Sequence, residues 1–565
     1  MTAEFPSSLR PSQDRRQAII YPLLLTALAL AVFHDGTNHQ FTNWDDEQYI
    51  VNNPLIRGFS LERVWAAFTN FHVSNYNPLH LVSYMVDYEV WGLKAGGFFL
   101  TSLILHTVTG IFVFRLALRW LPSPAAAALV AAVFLVHPTR VESVAWLSER
   151  KDVLSGFFGV ASMLVYARHL DAVGTRRTFL LVASWSIFLL ALLAKSQLVA
   201  LPVVLIAMDL CCRRPVREAI LSKLPFLALS VLFSIITIRT HAGESAAGII
   251  FPESILVPLA AIPRYLVHLL WPVGLSPHYE FSAGSFQGPL PVSAGALILL
   301  LITVCAYRSY LGERMWLLGI VWFFAFVSPV IGIFRINIYM ADRYLYLAIV
   351  GPLLALAATL LRARIPRPAV LAGSLMVITV FALLTTVYAS TFRNSETLWG
   401  HVLERNPKSS IGHSNLGDTL RVSGRIAEAA THFEEDLAEH PYLEGSFLGR
   451  AVIYIEQGDN DSASKMYELL LQRRPQSLVA RIEYAHFLDW IGEKEKAIRT
   501  LLDMDPLRAN AVFYRKLFDL YSDLNRPREA LAAARRAHAM APFDPASLSR
   551  LRLAEDAAAG SKIER

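Results

Sequence analysis

The sequence of 565 residues is 54% hydrophobic and only 17% charged, with a mean hydropathy of +0.41 and a net charge of +6. Soluble domains carry about 25% charged residues, so these values exclude a simple string of soluble domains. Three cysteines exclude a disulfide framework, and basic residues scattered over loop ends exclude a nucleic-acid partner.

Up to about Tyr388 apolar runs alternate with short basic clusters; after Thr391 the chain turns rich in Glu, Arg and Ala. A membrane-spanning helix needs roughly 20 mostly apolar residues, because unpaired backbone groups are costly in hydrocarbon. Residues 18–34, 98–118, 123–137, 153–167, 178–194, 197–211, 222–238, 291–308, 315–333, 344–361 and 369–389 meet that need, about 11 spans in all. Arg10, Arg15 and Arg16 precede the first run and no small-residue cleavage site follows it, so it reads as an anchor. Ile255–Trp271 carries Pro258, Pro263, Arg264 and His268 and reads as an interfacial or re-entrant helix. Short loops holding Arg115 and Arg119, Arg176 and Arg177, Arg213 and Arg214, and Arg362 and Arg364 fall on the side of the N-terminus, which places that terminus in the cytoplasm. An odd number of spans then puts the C-terminal region on the opposite side.

Four polar groups fall on the non-cytoplasmic side in this topology. The first, Asn43–Glu47, has Asp45, Asp46 and Glu47 adjacent; neighbouring carboxylates raise one another's pKa, and one of them can serve as general base for a hydroxyl. A solvated acidic loop is the plainer reading. Residues 60–72 space Leu61, Val64, Trp65 and Phe68 as a helix lying on the membrane surface, and Tyr76, Asn77 and His80 follow in a polar, aromatic loop. The second group joins His137, Arg140 and Glu142 to Glu149, Arg150, Lys151 and Asp152. Cations in a loop where positive charge is disfavoured point to an anion such as phosphate, or else pair with Glu142, Glu149 and Asp152. The third is Lys195-Ser196-Gln197, a cation candidate or a hairpin turn. The fourth is Asp342-Arg343, with Arg335 nearby: a buried Arg–Asp pair, or a phosphate ligand. Charges at a bundle mouth are costly and by default functional, and a lipid-linked phosphate at the bilayer surface fits them.

In the soluble region Pro407, Pro441 and Pro475 recur every 34 residues, and Pro506 and Pro542 continue at 31 and 36. Leu416-Gly417, Ala429 and Phe433, then Ala463 and Tyr467, occupy the small and aromatic slots of tetratricopeptide repeats. Such arrays bind peptides in a groove or act as spacers.

Trp44-Asp45-Asp46, Tyr76-Asn77-Pro78-Leu79, His137–Trp146 with Arg150-Lys151-Asp152, Asp342–Tyr346 and Ser395–Trp399 together resemble the transmembrane and tetratricopeptide-repeat-containing (TMTC) protein O-mannosyltransferase-related family. The resemblance implies an all-α fold: a GT-C-type transmembrane glycosyltransferase domain over 1–390 and a tetratricopeptide domain over 391–565. It implies a membrane enzyme that transfers a sugar from a polyprenyl-phosphate-linked donor to a protein hydroxyl, the repeats selecting the acceptor in their groove. The expected setting is a bacterial inner membrane with the repeats in the periplasm. Asp45 becomes the expected base, with Asp46 assisting, and Arg140, Arg150, Lys151 and Arg343 the expected phosphate ligands. Glu47, Tyr76, Asn77, His80, His137 and Glu142 are the candidates for sugar or acceptor. The resemblance implies no metal, while Asp45, Asp46 and Glu47 leave a divalent ion open. Where relatives carry His and Asn at the second span, this chain has Gly97–Ser102. A non-enzymatic scaffold and a transferase acting on a lipid or glycan are the rival readings.

Overall fold

The computed structural model describes residues 16–73, 75–241, 253–279, 289–331, 340–440 and 444–563. Arg10, Arg15, Arg335 and Pro441 lie outside them. Among the described residues the regular structure is helical, and the only β-type pairing is an isolated bridge between His72 and Asn75. The chain divides into two compact units: one of residues 1–51 and 58–398, the other of residues 52–57 and 399–565.

The first unit begins with α1 (Gln17–Val32), α2 (Leu61–Thr69), α3 (Pro78–Trp91), α4 (Ala95–Ala117) and α5 (Pro124–Val136). Ser60 caps α2 by accepting from the Arg63 N–H at 3.2 Å. That helix leaves Leu61 and Trp65 86% and 70% exposed while burying Ala66 and Ala67. A large exposed apolar face on a short helix suits a membrane interface. Pro138 cannot continue α5, and the chain bends by 58° into α6 (Val141–Ala145). Then come α7 (Arg150–Asp171), α8 (Gly174–Ala194), α9 (Leu201–Cys211), α10 (Val216–Leu221), α11 (Leu224–His241) and α12 (Glu253–Leu270). The unit closes with α13 (Pro289–Leu311), α14 (Met315–Val327), α15 (Val350–Arg362) and α16 (Arg367–Ala389).

Among the described residues five helical stretches are long and apolar enough to cross a membrane: Ala95–Ala117, Leu147–Asp171, Gly174–Ala194, Leu290–Leu311 and Arg367–Arg393; the bent pair Pro124–Val136 with Pro138–Ala145, taken as one span, makes a sixth. Six further apolar helices, of 10–17 residues, are shorter. The chain is an integral membrane protein by this apolar helical content. The stretch expected over Ile255–Trp271 is helical from Glu253 to Leu270, with Pro258 and Pro263 inside it; Val257, Ala260, Ala261 and Tyr265 are buried while Val267 and Leu270 are exposed. The stretch expected as a span from residue 344 turns helical only at Val350, because Asp342–Leu345 is a 3-10 turn pinned by ion pairs described below. α14 and α15 cross at Gly319 and Gly351, where a Cβ on Gly319 would lie 2.9 Å from the Gly351 carbonyl oxygen; small residues let membrane helices approach this closely.

The helix α17 (Ser395–Arg405) runs from the end of the first unit into the second, which continues as helix hairpins. These are α18 (Ser410–Val422) with α19 (Ile426–Glu439), α20 (Glu444–Glu456) with α21 (Asn460–Arg473), α22 (Leu478–Trp490) with α23 (Lys494–Leu502), and α24 (Ala511–Asp523) with α25 (Pro527–Met540), followed by α26 (Pro545–Ile563). Gly424, Gly458 and Gly492 turn three of the hairpins at φ +81°, +78° and +88°, and Asn525 turns the fourth at +56°. Glycine and asparagine are the residues that tolerate this left-handed conformation at a helix end. Ala429, Phe433, Ala463 and Tyr467 are buried between the helices, with Phe433 filling the space left by Gly417 and Gly449. Each hairpin thus buries its apolar face against its neighbours, the arrangement of tetratricopeptide repeats.

Candidate active site

The loop after α1 is closed by a buried carboxylate. Asp46 Oδ2 accepts from the Thr42 N–H at 2.9 Å and the Thr42 hydroxyl at 3.0 Å, and Asp46 Oδ1 accepts from the Ser148 N–H at 2.9 Å. Burial raises the Asp46 pKa, and these hydrogen bonds oppose the rise. Both oxygens are therefore spent on tying the loop to the segment that starts α7. Trp44 stacks on Trp146 across the same seam, with ring centroids 4.2 Å apart.

Asp45 is held by these neighbours yet receives no hydrogen bond on its own carboxylate among the described residues. It is half-buried, and desolvation raises its pKa; Lys151 and Arg343 pull it down and Glu149 pushes it up. Asp45 thus sits within reach of a dense ion-pair net. Glu149 meets Lys151 at 3.0 Å, Lys195 at 3.4 Å and the Arg343 Nε at 3.4 Å. Lys195 also meets Asp152 at 2.5 Å, and Ser143 donates to Asp152 at 3.2 Å. Glu142 accepts from the Arg343 guanidinium and from the Arg343 backbone N–H at 3.0 Å. Arg343 further lies against the Trp146 ring, 5.5 Å from its centroid. Side chains from the first loop, the start of α7, the α8–α9 turn and the turn before α15 meet here.

The Arg–Asp pair expected at residues 342 and 343 does not form. Asp342 instead accepts from the Tyr279 hydroxyl at 2.7 Å and lies 2.7 Å from His268 Nδ1, while Arg343 turns to Glu142. Arg140 and Arg150 are fully buried in the scaffold. Arg140 donates to the Tyr346 carbonyl and, at 2.7 Å, to the Thr139 hydroxyl, and lies against the Phe134 and Tyr346 rings; its Nε has no partner among the described residues. Arg150 pairs with Asp87 at 2.5 Å and donates to the Phe98 carbonyl at 2.6 Å and to Ser102 at 3.2 Å, between the rings of Tyr84 and Phe98. These bonds tie α3 to α4 and α7.

Lys151 spends one of its three donors on Glu149 and lies 5.0 Å from the Tyr49 ring centroid. Glu47 is exposed at the start of a π-helical turn, Glu47–Val51. The Tyr76 hydroxyl donates to the Phe68 carbonyl at 2.9 Å, and Asn77 precedes α3 as its N-cap without a capping hydrogen bond. His137 is held by Thr139 at 2.9 Å and by the Leu269 carbonyl at 3.1 Å. His80 is fully buried, and desolvation holds its pKa well below the usual value. Tyr84 donates its single proton to the Leu147 carbonyl at 2.5 Å, so at 2.7 Å His80 Nε2–H donates to the Tyr84 oxygen, and His80 Nδ1 is left with no hydrogen-bond partner among the described residues. Asp87, Tyr84, Trp146 and Tyr279 were not among the residues singled out for ligand contact; Arg150, Leu147, Trp44 and Asp342, which they meet in that order, lie tens of residues away, and no local pattern marks them.

No family model matches the chain. Stretches of it are similar to curated proteins: 33% identical over 96 residues to Protein O-mannosyl-transferase Tmtc1 of Drosophila melanogaster, covering 17% of this chain and 11% of that protein. The match to Protein O-mannosyl-transferase TMTC1 of Mus musculus is 31% over 160 residues, covering 26% and 17%. That to Protein O-mannosyl-transferase F38B6.6 of Caenorhabditis elegans is 26% over 178 residues, covering 29% and 25%. The chain is similar to the TMTC protein O-mannosyl-transferases. The matched stretches span a quarter or less of the length of these relatives. Among solved structures, ArnT from Cupriavidus metallidurans bound to undecaprenyl phosphate aligns at 18% identity and a TM-score of 0.37, over 79% of each chain. A Thermus thermophilus tetratricopeptide protein, TTC0263, aligns at 21% identity and a TM-score of 0.26, over 31% of this chain and 94% of its own.

Proposed function

We propose that the chain is a membrane glycosyltransferase that moves a sugar from a polyprenyl-phosphate carrier to a protein hydroxyl on the non-cytoplasmic face. The observation that carries this reading is Asp45: a half-buried carboxylate that accepts no hydrogen bond among the described residues, its pKa raised by desolvation, beside Lys151 and Arg343. A general base needs a carboxylate that is positioned but unspent. Asp46 is the positioning residue, through Thr42 and Ser148. The similarity to protein O-mannosyl-transferases supports the same reaction class.

Asp45 takes the proton of the acceptor hydroxyl. The hydroxyl oxygen bonds to the anomeric carbon as the bond from that carbon to the phosphate oxygen breaks, and its electron pair leaves with the polyprenyl phosphate. Charge grows on that phosphate, and Lys151 and Lys195, each an ammonium at the edge of the ion-pair net, stabilise it with Arg343 behind them. Arg140 and Arg150 are left to the scaffold. The N-terminus lies in the cytoplasm of a bacterial inner membrane, and the repeats, in the periplasm, receive the acceptor in their groove.

The full chain, purified in detergent, is incubated with a radiolabelled polyprenyl-phosphate sugar and an extract of its own cells. The reading requires label in protein, absent with Asp45→Asn. Label confined to lipid or free glycan would reassign the acceptor. The second reading, a membrane-anchored scaffold, draws on the fact that Lys151, Lys195 and Arg343 each already meet a carboxylate. It requires no label in any fraction, with cellular function surviving Asp45→Asn.

A further inference from the structure

We infer that the first helix hairpin of the repeat unit carries a zinc site formed by His413, His432 and Glu435. This inference is independent of the transferase reading. His413 lies on α18; His432 and Glu435 lie three residues apart on α19, and that spacing puts both on one helix face. His413 Nδ1 is 3.1 Å from His432 Nδ1 and 3.4 Å from Glu435 Oε2, and His432 Nδ1 is 3.7 Å from the same oxygen. Three ligand atoms of different side chains thus form a near-equilateral triangle, with all of them within 4.8 Å of one another.

The size of the triangle fits zinc. Zinc binds imidazole nitrogen and carboxylate oxygen at about 2.0–2.1 Å, and a tetrahedron with such bonds has edges of about 3.3–3.4 Å. An octahedral site with similar bonds has adjacent ligands only about 2.9–3.0 Å apart. The three distances centre on the tetrahedral edge. Two histidines and one carboxylate are also a recurrent zinc set that leaves a fourth position for water.

The surroundings are those of a metal ligand. His413 is buried, and its Nε2–H donates to the Pro407 carbonyl at 2.8 Å. That bond fixes the tautomer and leaves the Nδ1 lone pair directed at His432 and Glu435, the outer-shell arrangement that orients metal-bound histidines. Glu435 is 55% exposed and His432 is half-buried, so the ion has an entry path and its fourth position faces solvent. The ion would join the two helices of the hairpin where Phe433 and Gly417 already pack.

The full chain in detergent, stripped by a chelator, is titrated with Zn2+ alone and with Co2+ as a spectroscopic substitute. Wild type is compared with Glu435→Gln and His432→Ala; the first alters an exposed side chain and leaves the packing intact. Wild type should retain one more equivalent of zinc than either variant, and the tightest-site affinity should fall by at least about tenfold in each. Co2+ should give wild type, and neither variant, the intense visible absorption of a tetrahedral site. Equal zinc stoichiometry and affinity in wild type and Glu435→Gln, or an octahedral-type Co2+ spectrum in wild type, would overturn the site.

Discussion

Replacing Glu149 by glutamine keeps the shape of the side chain and removes the one charge that Lys151, Lys195 and Arg343 all meet, at 3.0, 3.4 and 3.4 Å. Lys195 would keep Asp152, and Arg343 would keep Glu142. Lys151 would lose its only ion-pair partner among the described residues, and it is buried. Breaking a buried pair from one side costs about 3–5 kcal/mol, and with two of the three cations still paired the lower figure applies, about 3 kcal/mol. Each kcal/mol moves the unfolding midpoint by about 2–4 °C in a domain of 150–250 residues and by about half that in the unit of some 390 residues that holds Glu149, so the midpoint should fall on the order of 5 °C. The assay is thermal unfolding of the full chain in detergent, followed by tryptophan fluorescence. Arg362→Gln is the control: its pair with Glu313 is about half exposed on both sides and should cost less than about 1 kcal/mol. The double variant Glu149→Gln/Lys151→Met removes the stranded ammonium and should recover most of the loss. If Glu149→Gln unfolds with the Arg362→Gln control, or the double variant is weaker still, the ion-pair net does not hold this face together.

Asp45→Asn should be at least as stable as wild type at neutral pH, by thermal unfolding. Burial raises the folded pKa of Asp45 above 3.8, so its ionised form costs stability above that folded value, and the cost vanishes below the unfolded one. By the same sign, kcat/KM for transfer should fall as pH drops through a value above 3.8, and a limb at or below 3.8 would remove Asp45 as the base. In the repeat unit, Gly449→Leu should collapse helix hairpin packing, because even a Cβ there would lie 2.2 Å from the Phe433 ring; loss of helical circular dichroism over the repeat melt checks it. Gly492→Ala, at φ +88°, should cost about 1 kcal/mol, and Gly492→Asn less, read from the same melt.

The repeat unit was legible because its signals are local and periodic: prolines near every 34 residues, and Ala429, Phe433, Ala463 and Tyr467 in matched slots. Gly424, Gly458 and Gly492 carry the same period and could have been added from the sequence. The gathering of charges was legible only in outline. Arg140 and Arg150 look like phosphate ligands in a loop sequence, yet their partners are Tyr346 and Asp87, far along the chain, and no spacing rule reaches them. Arg343 and Asp342 are adjacent and opposite in charge, but a 3-10 turn sends them to different partners, Glu142 and Tyr279. Lys195, read as a cation or as a turn, meets residues 46 and 43 positions earlier. Asp45 and Asp46 look equivalent in sequence; only the Thr42 and Ser148 hydrogen bonds separate a clamp from an unspent carboxylate.

The most direct test of that distinction is the release of polyprenyl phosphate from a saturating polyprenyl-phosphate sugar by the purified full chain with acceptor present. Asp45→Asn should cut the rate by about 100-fold or more while donor binding persists. Equal rates in wild type and Asp45→Asn would mean that no base acts at this position.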